Sequence, residues 1–161
     1  MEKIIIKPIG FVKNKIKEPR FCNFNNEISE LILNKKFAKA LKGLNDYSHI
    51  IVVYWMNKVV DELRSSSPFA NARVKNYVIQ HRPQGNPAVP IVGIFACRCP
   101  ARPNPIGITT VKLIKHQGNK IKVKGLDILD KTPIIDIKPY WPQYDKVGKA
   151  KVPAWVNKLR F

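Results

Sequence analysis

Acidic residues are scarce in this chain: 11 Asp and Glu stand against 29 Lys and Arg, a formal net charge of +18 over 161 residues. A surface this basic excludes other polycations as partners and predicts a polyanion. Nucleic acid comes first, because lysines that neutralise phosphates release counterions. An anionic membrane comes second, since no basic stretch also carries an amphipathic helical stripe of aromatics. Charge does not choose between RNA and DNA. Cysteine is scarce too, and three is an odd number, which argues against a disulfide framework and for a reducing compartment. The longest apolar run, Ile50 to Met56, is far shorter than the roughly 20 residues of a bilayer span. The opening MEKIIIKPIG has an apolar stretch too short for a secretory signal and no small-residue cleavage site after it. A soluble, cytoplasmic protein is expected, with no membrane partner. Two phosphate cradles are missing: no GxGxxG turn joins a strand to a helix, and there is no GxxxxGK[ST] loop. Any nucleotide-like ligand is therefore held in some other way.

What is present is mostly strand. Lys3 to Val12, with its Ile4-Ile5-Ile6 run, predicts a first strand, and Lys13 to Asn26 a polar loop. Phe37, Ala40, Leu41 and Leu44 recur at helical spacing over Lys35–Leu44, with Gly43 and Asn45 as a stop signal. HIIVVYW at 49–55 reads as a buried central strand. Ser65 to Pro68 marks a loop, Arg73–His81 a strand, Pro83–Pro90 a rigid connector and Ile91–Cys97 another strand. Thr109–Lys115 and Lys120–Leu126 flank Gln117-Gly118-Asn119, a hairpin signal. Trp155–Leu159 suggests one closing helical turn. Short strands with one convincing helix favour a mainly β domain, a small barrel, over a doubly wound sheet. The length fits a single domain over 1–161 that buries about two thirds of its unfolded surface.

Two segments stand out chemically. In CRCPARPNPIGIT at 97–109, Pro100, Pro103 and Pro105 fix the backbone and remove donors, which rules out a central strand and predicts a shaped loop. Stiffening lowers the entropy cost of ordering a loop around a ligand, so Arg98, Arg102 and Asn104 on it are candidate contacts. The alternative is a proline-rich surface loop with incidental arginines. In DILDKTPIIDIKPYW at 127–141, three of the 11 acidic residues, Asp127, Asp130 and Asp136, cluster within a basic chain. They either meet a ligand as acceptors or a general base, or they serve turns and lysine pairs. Cys97 and Cys99, with Cys22, His49, His81 and His116 elsewhere, lack the spacing of a zinc site, so no metal is expected and buried thiols are the default.

RPNPIGIT at 102–109, preceded by Phe95-Ala96 and Arg98 and followed by LDILDKTPIIDIKPY at 126–140, resembles the TrmO (TsaA-like) family. IGFVKN at 9–14, PRF at 19–21 and LKGLNDYSHIIVVYW at 41–55 fall in the family's order, so the resemblance covers almost the whole chain. It implies a non-Rossmann S-adenosylmethionine-dependent methyltransferase, a small β-barrel acting as a homodimer on N6 of threonylcarbamoyladenosine next to the tRNA anticodon. It also implies cofactor contacts at Pro19, Arg20 and Phe21, at Asn57 and Lys58, at Arg98, at Ile108, and at Lys131, Thr132, Pro133 and Ile134. A non-catalytic RNA-binding barrel that keeps the cofactor pocket is the alternative.

That chemistry has further needs. The acceptor nitrogen sheds a proton, for which Asp136 and Tyr140 are the candidate catalytic residues. Arg102, Asn104 and Lys138 are the candidates to hold the substrate's carboxylate and phosphates. A basic protein repels a sulfonium, so Asp127, Asp130 and Asp136, or an aromatic face such as Phe21, are expected to offset that field. Three positions depart from the family's pattern: Asn57 where a histidine is frequent, PRF for PRQ, and Lys131 in DKTP where DGTP is usual. A positive φ at Lys131 would strain a lysine. Many relatives carry a further C-terminal region, so in this chain the grip on tRNA is expected from the barrel.

Overall fold

The computed structural model describes residues 3–18, 23–58, 72–74 and 77–160. Among the described residues nine strands form two sheets: β1 (Gly10–Lys13), β2 (Ile28–Leu33), β3 (His49–Trp55), β4 (Ala72–Val74), β5 (Tyr77–His81), β6 (Val92–Gly93), β7 (Ile106–Gln117), β8 (Lys120–Lys124) and β9 (Pro133–Pro139). Six of them close an antiparallel barrel in the order β1-β2-β8-β7-β3-β9, and β4-β5-β6 make a small sheet beside it. The mainly β barrel read from the sequence is the observed architecture. Among the described residues no helix is long and apolar enough to cross a membrane.

Alternation builds the barrel wall. In β8, Ile121 and Val123 are buried while Lys120, Lys122 and Lys124 take the other face. Val12, Leu31, Ile50, Val52, Ile121 and Ile134 are fully buried in one continuous core, and each such side chain contributes about 1.5–3 kcal/mol relative to exposure. Gly118, at φ 60, opens the two-residue β7–β8 turn. The Asn119 amide group reaches the Leu33 carbonyl, and the Leu33 amide donates to the Asn119 carbonyl at 2.9 Å, which fastens the hairpin to β2.

Several expectations are corrected. The first strand begins at Gly10, not Lys3: Pro8 has no amide to donate, and Ile4-Ile5-Ile6 stays exposed with no partner strand among the described residues. The Lys35–Leu44 helix is a 3₁₀ segment over Lys35–Leu41, capped by the Asn34 side chain accepting from the Lys36 amide, then a second over Leu44–Asp46. Gly43 at φ 84 separates them, so no α-helical turn propagates. Arg73–His81 is a hairpin of two strands, β4 and β5. Ile91–Cys97 is strand only at β6, because Ile94–Ala96 turns as 3₁₀. Two strands went unread: β2, and β9, whose prolines at both ends disguised it. The 3₁₀ turn Ala154–Lys158 lies close to the expected closing turn. The Ser65–Pro68 loop lies outside the described residues.

Candidate functional site

The site takes shape at one end of β3, β7 and β9, which lie side by side. Register aligns Asp136, Val53 and Ile108 across the three strands, and Tyr54 faces both Gly107 and Ile134. A Cβ on Gly107 would stand 2.1 Å from the Tyr54 ring, so only glycine lets that ring pack over β7. The Tyr54 hydroxyl meets Thr109 Oγ1 at 3.0 Å and donates to the Asp127 carbonyl at 3.3 Å. Burial pushes its phenol above the ordinary range.

Prolines 100, 103 and 105 shape the loop that enters this end, and Met56 N anchors it by donating to the Pro105 carbonyl at 2.8 Å. Its two arginines do different things. Arg102 Nη2 donates to the Ile94 carbonyl at 3.0 Å and the Cys97 carbonyl at 2.8 Å, holding the 3₁₀ turn in place. Its Nε is buried with no partner among the described residues. Arg98 is exposed, donates through Nη2 to the Ile108 carbonyl, and sits close enough to Asp127 to pull that carboxyl down. Burial is the stronger influence on Asp127 and leaves it above the usual carboxylate range. Cys97 and Cys99 pack against Val78, Ile94 and Ala101, and burial pushes the Cys99 thiol up to about 11.

The three aspartates separate by environment. Asp130 is buried, accepts from the Asn14 amide at 3.0 Å and pairs with Lys17, whose hydrogen bond holds its carboxyl below the usual range. Asn14 Nδ2 donates to Ser29 Oγ at 3.1 Å and to the Ile128 carbonyl at 2.9 Å. Asp130 thus locks the exit of β1 to the turn before β9, with its charge directed at Lys17. Asp136 pairs with Lys138 at 2.7 Å and also accepts from the Ile137 amide at 2.9 Å; both side chains face solvent. That partner raises the Lys138 ammonium. Asp127 and Asp136 remain the carboxylates of this rim.

Asn57 and Lys58 follow β3 and are exposed at the same end, Lys58 near enough to Asp130 to help hold it ionised. Lys131 has φ 64, the left-handed conformation that glycine adopts freely, and its amide donates to the Val12 carbonyl at 2.7 Å. Thr132 is buried with its hydroxyl on the Leu129 carbonyl at 2.8 Å, and the Thr132 and Ile134 carbonyls accept from Val12 at 3.0 Å and Ile9 at 2.8 Å. Pro133 opens β9 opposite Phe11. Asn104 is exposed on the proline loop. Tyr140 is not brought here: it follows β9 at the opposite end, edge-on to His49 with ring centroids 6.4 Å apart. Pro19, Arg20 and Phe21 lie outside the described residues. Sequence reasoning missed Tyr54 and Asn14, although both sit inside quoted motifs; the buried tyrosine facing a glycine across the ladder needs the register to be seen.

A closed antiparallel barrel with no βαβ crossover among the described residues, carrying a stiff arginine loop and two carboxylates on one rim, defines a non-Rossmann, basic β-barrel. The tRNA-methyltransferase O N-terminal domain family matches residues 10–146. An S-adenosyl-L-methionine-binding protein of Archaeoglobus fulgidus is 36% identical over 153 residues, 92% of this chain and 97% of that one. A tRNA (adenine(37)-N6)-methyltransferase of Mus musculus is 30% identical over 167 residues, 98% of this chain but 35% of the mouse protein. The crystal structure of TrmO from Pseudomonas aeruginosa superposes with a TM-score of 0.70 at 26% identity, covering 95% of this chain and 63% of that chain. This chain belongs to the TrmO family of tRNA methyltransferases. It spans somewhat less than two thirds of the solved TrmO chain.

Proposed function

We propose that this chain is an S-adenosylmethionine-dependent methyltransferase that modifies N6 of the adenosine next to the anticodon in tRNA, with threonylcarbamoyladenosine as the acceptor. The observation that carries this reading is the convergence of Ile108, Arg98, Asp127 and Asp136 at one barrel rim in a chain of this family. The donor set suits the cofactor: half-exposed Ile108 offers an apolar face, Asn57 and Lys58 offer donors, and Asp127 with Asp136 counters repulsion of a sulfonium by the +18 chain. When bound, the cofactor supplies an already activated methyl group. The protein's part is orientation, which the proline-braced loop serves by holding Arg98 and Ile108 fixed. Of the two candidates for the acceptor's proton, Asp136 is favoured because it lies across Val53 from Ile108, paired with Lys138, whereas Tyr140 lies at the other end of β9. The chain acts as one domain over 1–161, as a homodimer in the cytoplasm.

The test is methyl transfer from labelled S-adenosylmethionine to threonylcarbamoylated tRNA, with the unmodified transcript as control. Label in the first and not in the second is expected; label in neither, despite cofactor binding, overturns the proposal. S-adenosylmethionine at 100 times its Kd should stabilise the native state by about 2.7 kcal/mol, read as a rise in Tm. A second reading, a barrel that binds RNA and cofactor without transfer, is favoured by the strained Lys131 in the turn that leads into β9.

A further inference from the structure

The outer wall of the barrel on the far side of β7 carries a charge arrangement that folding alone does not explain. In β8, Lys120, Lys122 and Lys124 point outward, alternating with buried Ile121 and Val123. Register sets Lys112 directly opposite Lys124, and Lys115 directly opposite Lys122, across the β7–β8 ladder. Facing pairs of this kind hold their Cβ atoms about 4.5–5.5 Å apart, and like charges there are destabilising. Glu30 of β2, opposite both Lys122 and Lys13, is the only carboxylate among the described residues whose register position falls on this wall. None of these five lysines has an ion-pair partner among the described residues.

The wall is continuous with the candidate site. Ile108, Thr110 and Lys112 occupy alternate, exposed positions of β7, hence one face. Four steps along the strand take Ile108 to Lys112, about 13 Å at roughly 3.3 Å per residue. A chain of phosphates laid on the lysines would lead along β7 to the rim that holds Arg98 and Asp136.

We propose that Lys112, Lys115, Lys120, Lys122 and Lys124 form a docking surface for the phosphate backbone of the RNA substrate, away from the nucleotide that is modified. This rests on the reading of the chain as a tRNA-modifying enzyme and adds where that RNA is gripped. The ligand chemistry is a polyphosphate backbone recognised by charge, without base readout. Repulsion between facing lysines is relieved when the phosphates arrive, so the wall is strained when free and satisfied when bound.

The experiment compares wild type with K115Q/K122Q/K124Q and with a control of equal charge loss, K35Q/K36Q/K39Q, on the 3₁₀ segment after β2. Affinity for threonylcarbamoylated tRNA is measured against salt. For the wall variant the slope of log K on log salt should fall by roughly 2–3, at about 0.7–0.9 for each phosphate no longer neutralised. KM for tRNA should rise about tenfold or more with kcat and cofactor Kd within twofold, and Tm should stay level or rise. The control should change the slope by less than half as much. A wall variant with unchanged slope, or a control that matches it, overturns the docking surface; so does loss of binding to phosphatidylserine vesicles without loss of tRNA affinity. Wild type that binds and methylates tRNA while the wall variant does the same leaves the enzymatic reading intact and sinks only this inference. Wild type that binds cofactor but no RNA sinks both.

Discussion

The barrel and the small β4–β6 sheet are held together by different means. Among the described residues the barrel has a core of fourteen buried residues, eleven of them on its six strands, which are paired around the whole circumference. Among the described residues the small sheet has three, Val78, Ile94 and Ala101, with Cys97 and Cys99 against them. It relies on polar ties instead: Arg102 on the Ile94 and Cys97 carbonyls, and the C-terminal segment clasping the 84–88 loop. In that clasp Gln84 donates to the Arg160 carbonyl at 2.7 Å and accepts from the Arg160 amide at 3.0 Å. Hydrophobic packing makes one region cooperative; directional bonds make the other separable. The proline loop runs from one to the other, so the candidate site is bounded by both.

The sharpest way to break that contrast is a cavity in the barrel. Ile50→Ala, at a fully buried position, should cost about 2–5 kcal/mol and lower the urea midpoint of the whole domain in one transition. Next, Arg102→Met strands two carbonyls and should cost about 1–3 kcal/mol, but locally. Hydrogen exchange should quicken at 78–81 and 94–101 while protection of β3 and β8 stays near wild type; equal loss in both regions would show that the two are one unit. Asp130→Asn should cost a similar amount, about 1–3 kcal/mol, on the barrel side. Because the folded carboxyl sits below its unfolded value, the wild-type advantage should be full above about pH 4. It should shrink as pH falls through the lower folded value, in chemical denaturation run from pH 6 to pH 2. The smallest effect is a gain: Lys131→Gly relieves a positive φ and should raise stability by about 1 kcal/mol, seen as a small rise in Tm.

Legibility followed the same divide. Barrel strands β3, β7 and β8 could be read from their residues, β3 as a continuous β-branched and aromatic run and β7 and β8 from apolar residues alternating with basic ones beside a Gly-Asn turn. Strand β9 could not, since its polar Asp136 and Lys138 and flanking prolines describe a loop until pairing with β3 supplies the missing partner. In the site, the proline loop was foreseen as a shaped loop, but the use of Arg102 was not: a guanidinium spent on backbone carbonyls looks identical in sequence to one awaiting a carboxylate. Asp130 and Asp136 each pair with a lysine, and what separates their fates is burial, together with the Asn14 amide that Asp130 also accepts.

The pairing of β7 with β8 slips by one residue between Leu113 and Lys115, which leaves Ile114 as a supernumerary link in an otherwise regular ladder. Loss of that one codon would heal the pairing and straighten the strand with every side chain still on its own face. Loss of a codon several residues away would turn the intervening stretch inside out, driving ammonium groups inward and aliphatic groups into water. Tolerance to deletion along β7 is therefore concentrated around a single position.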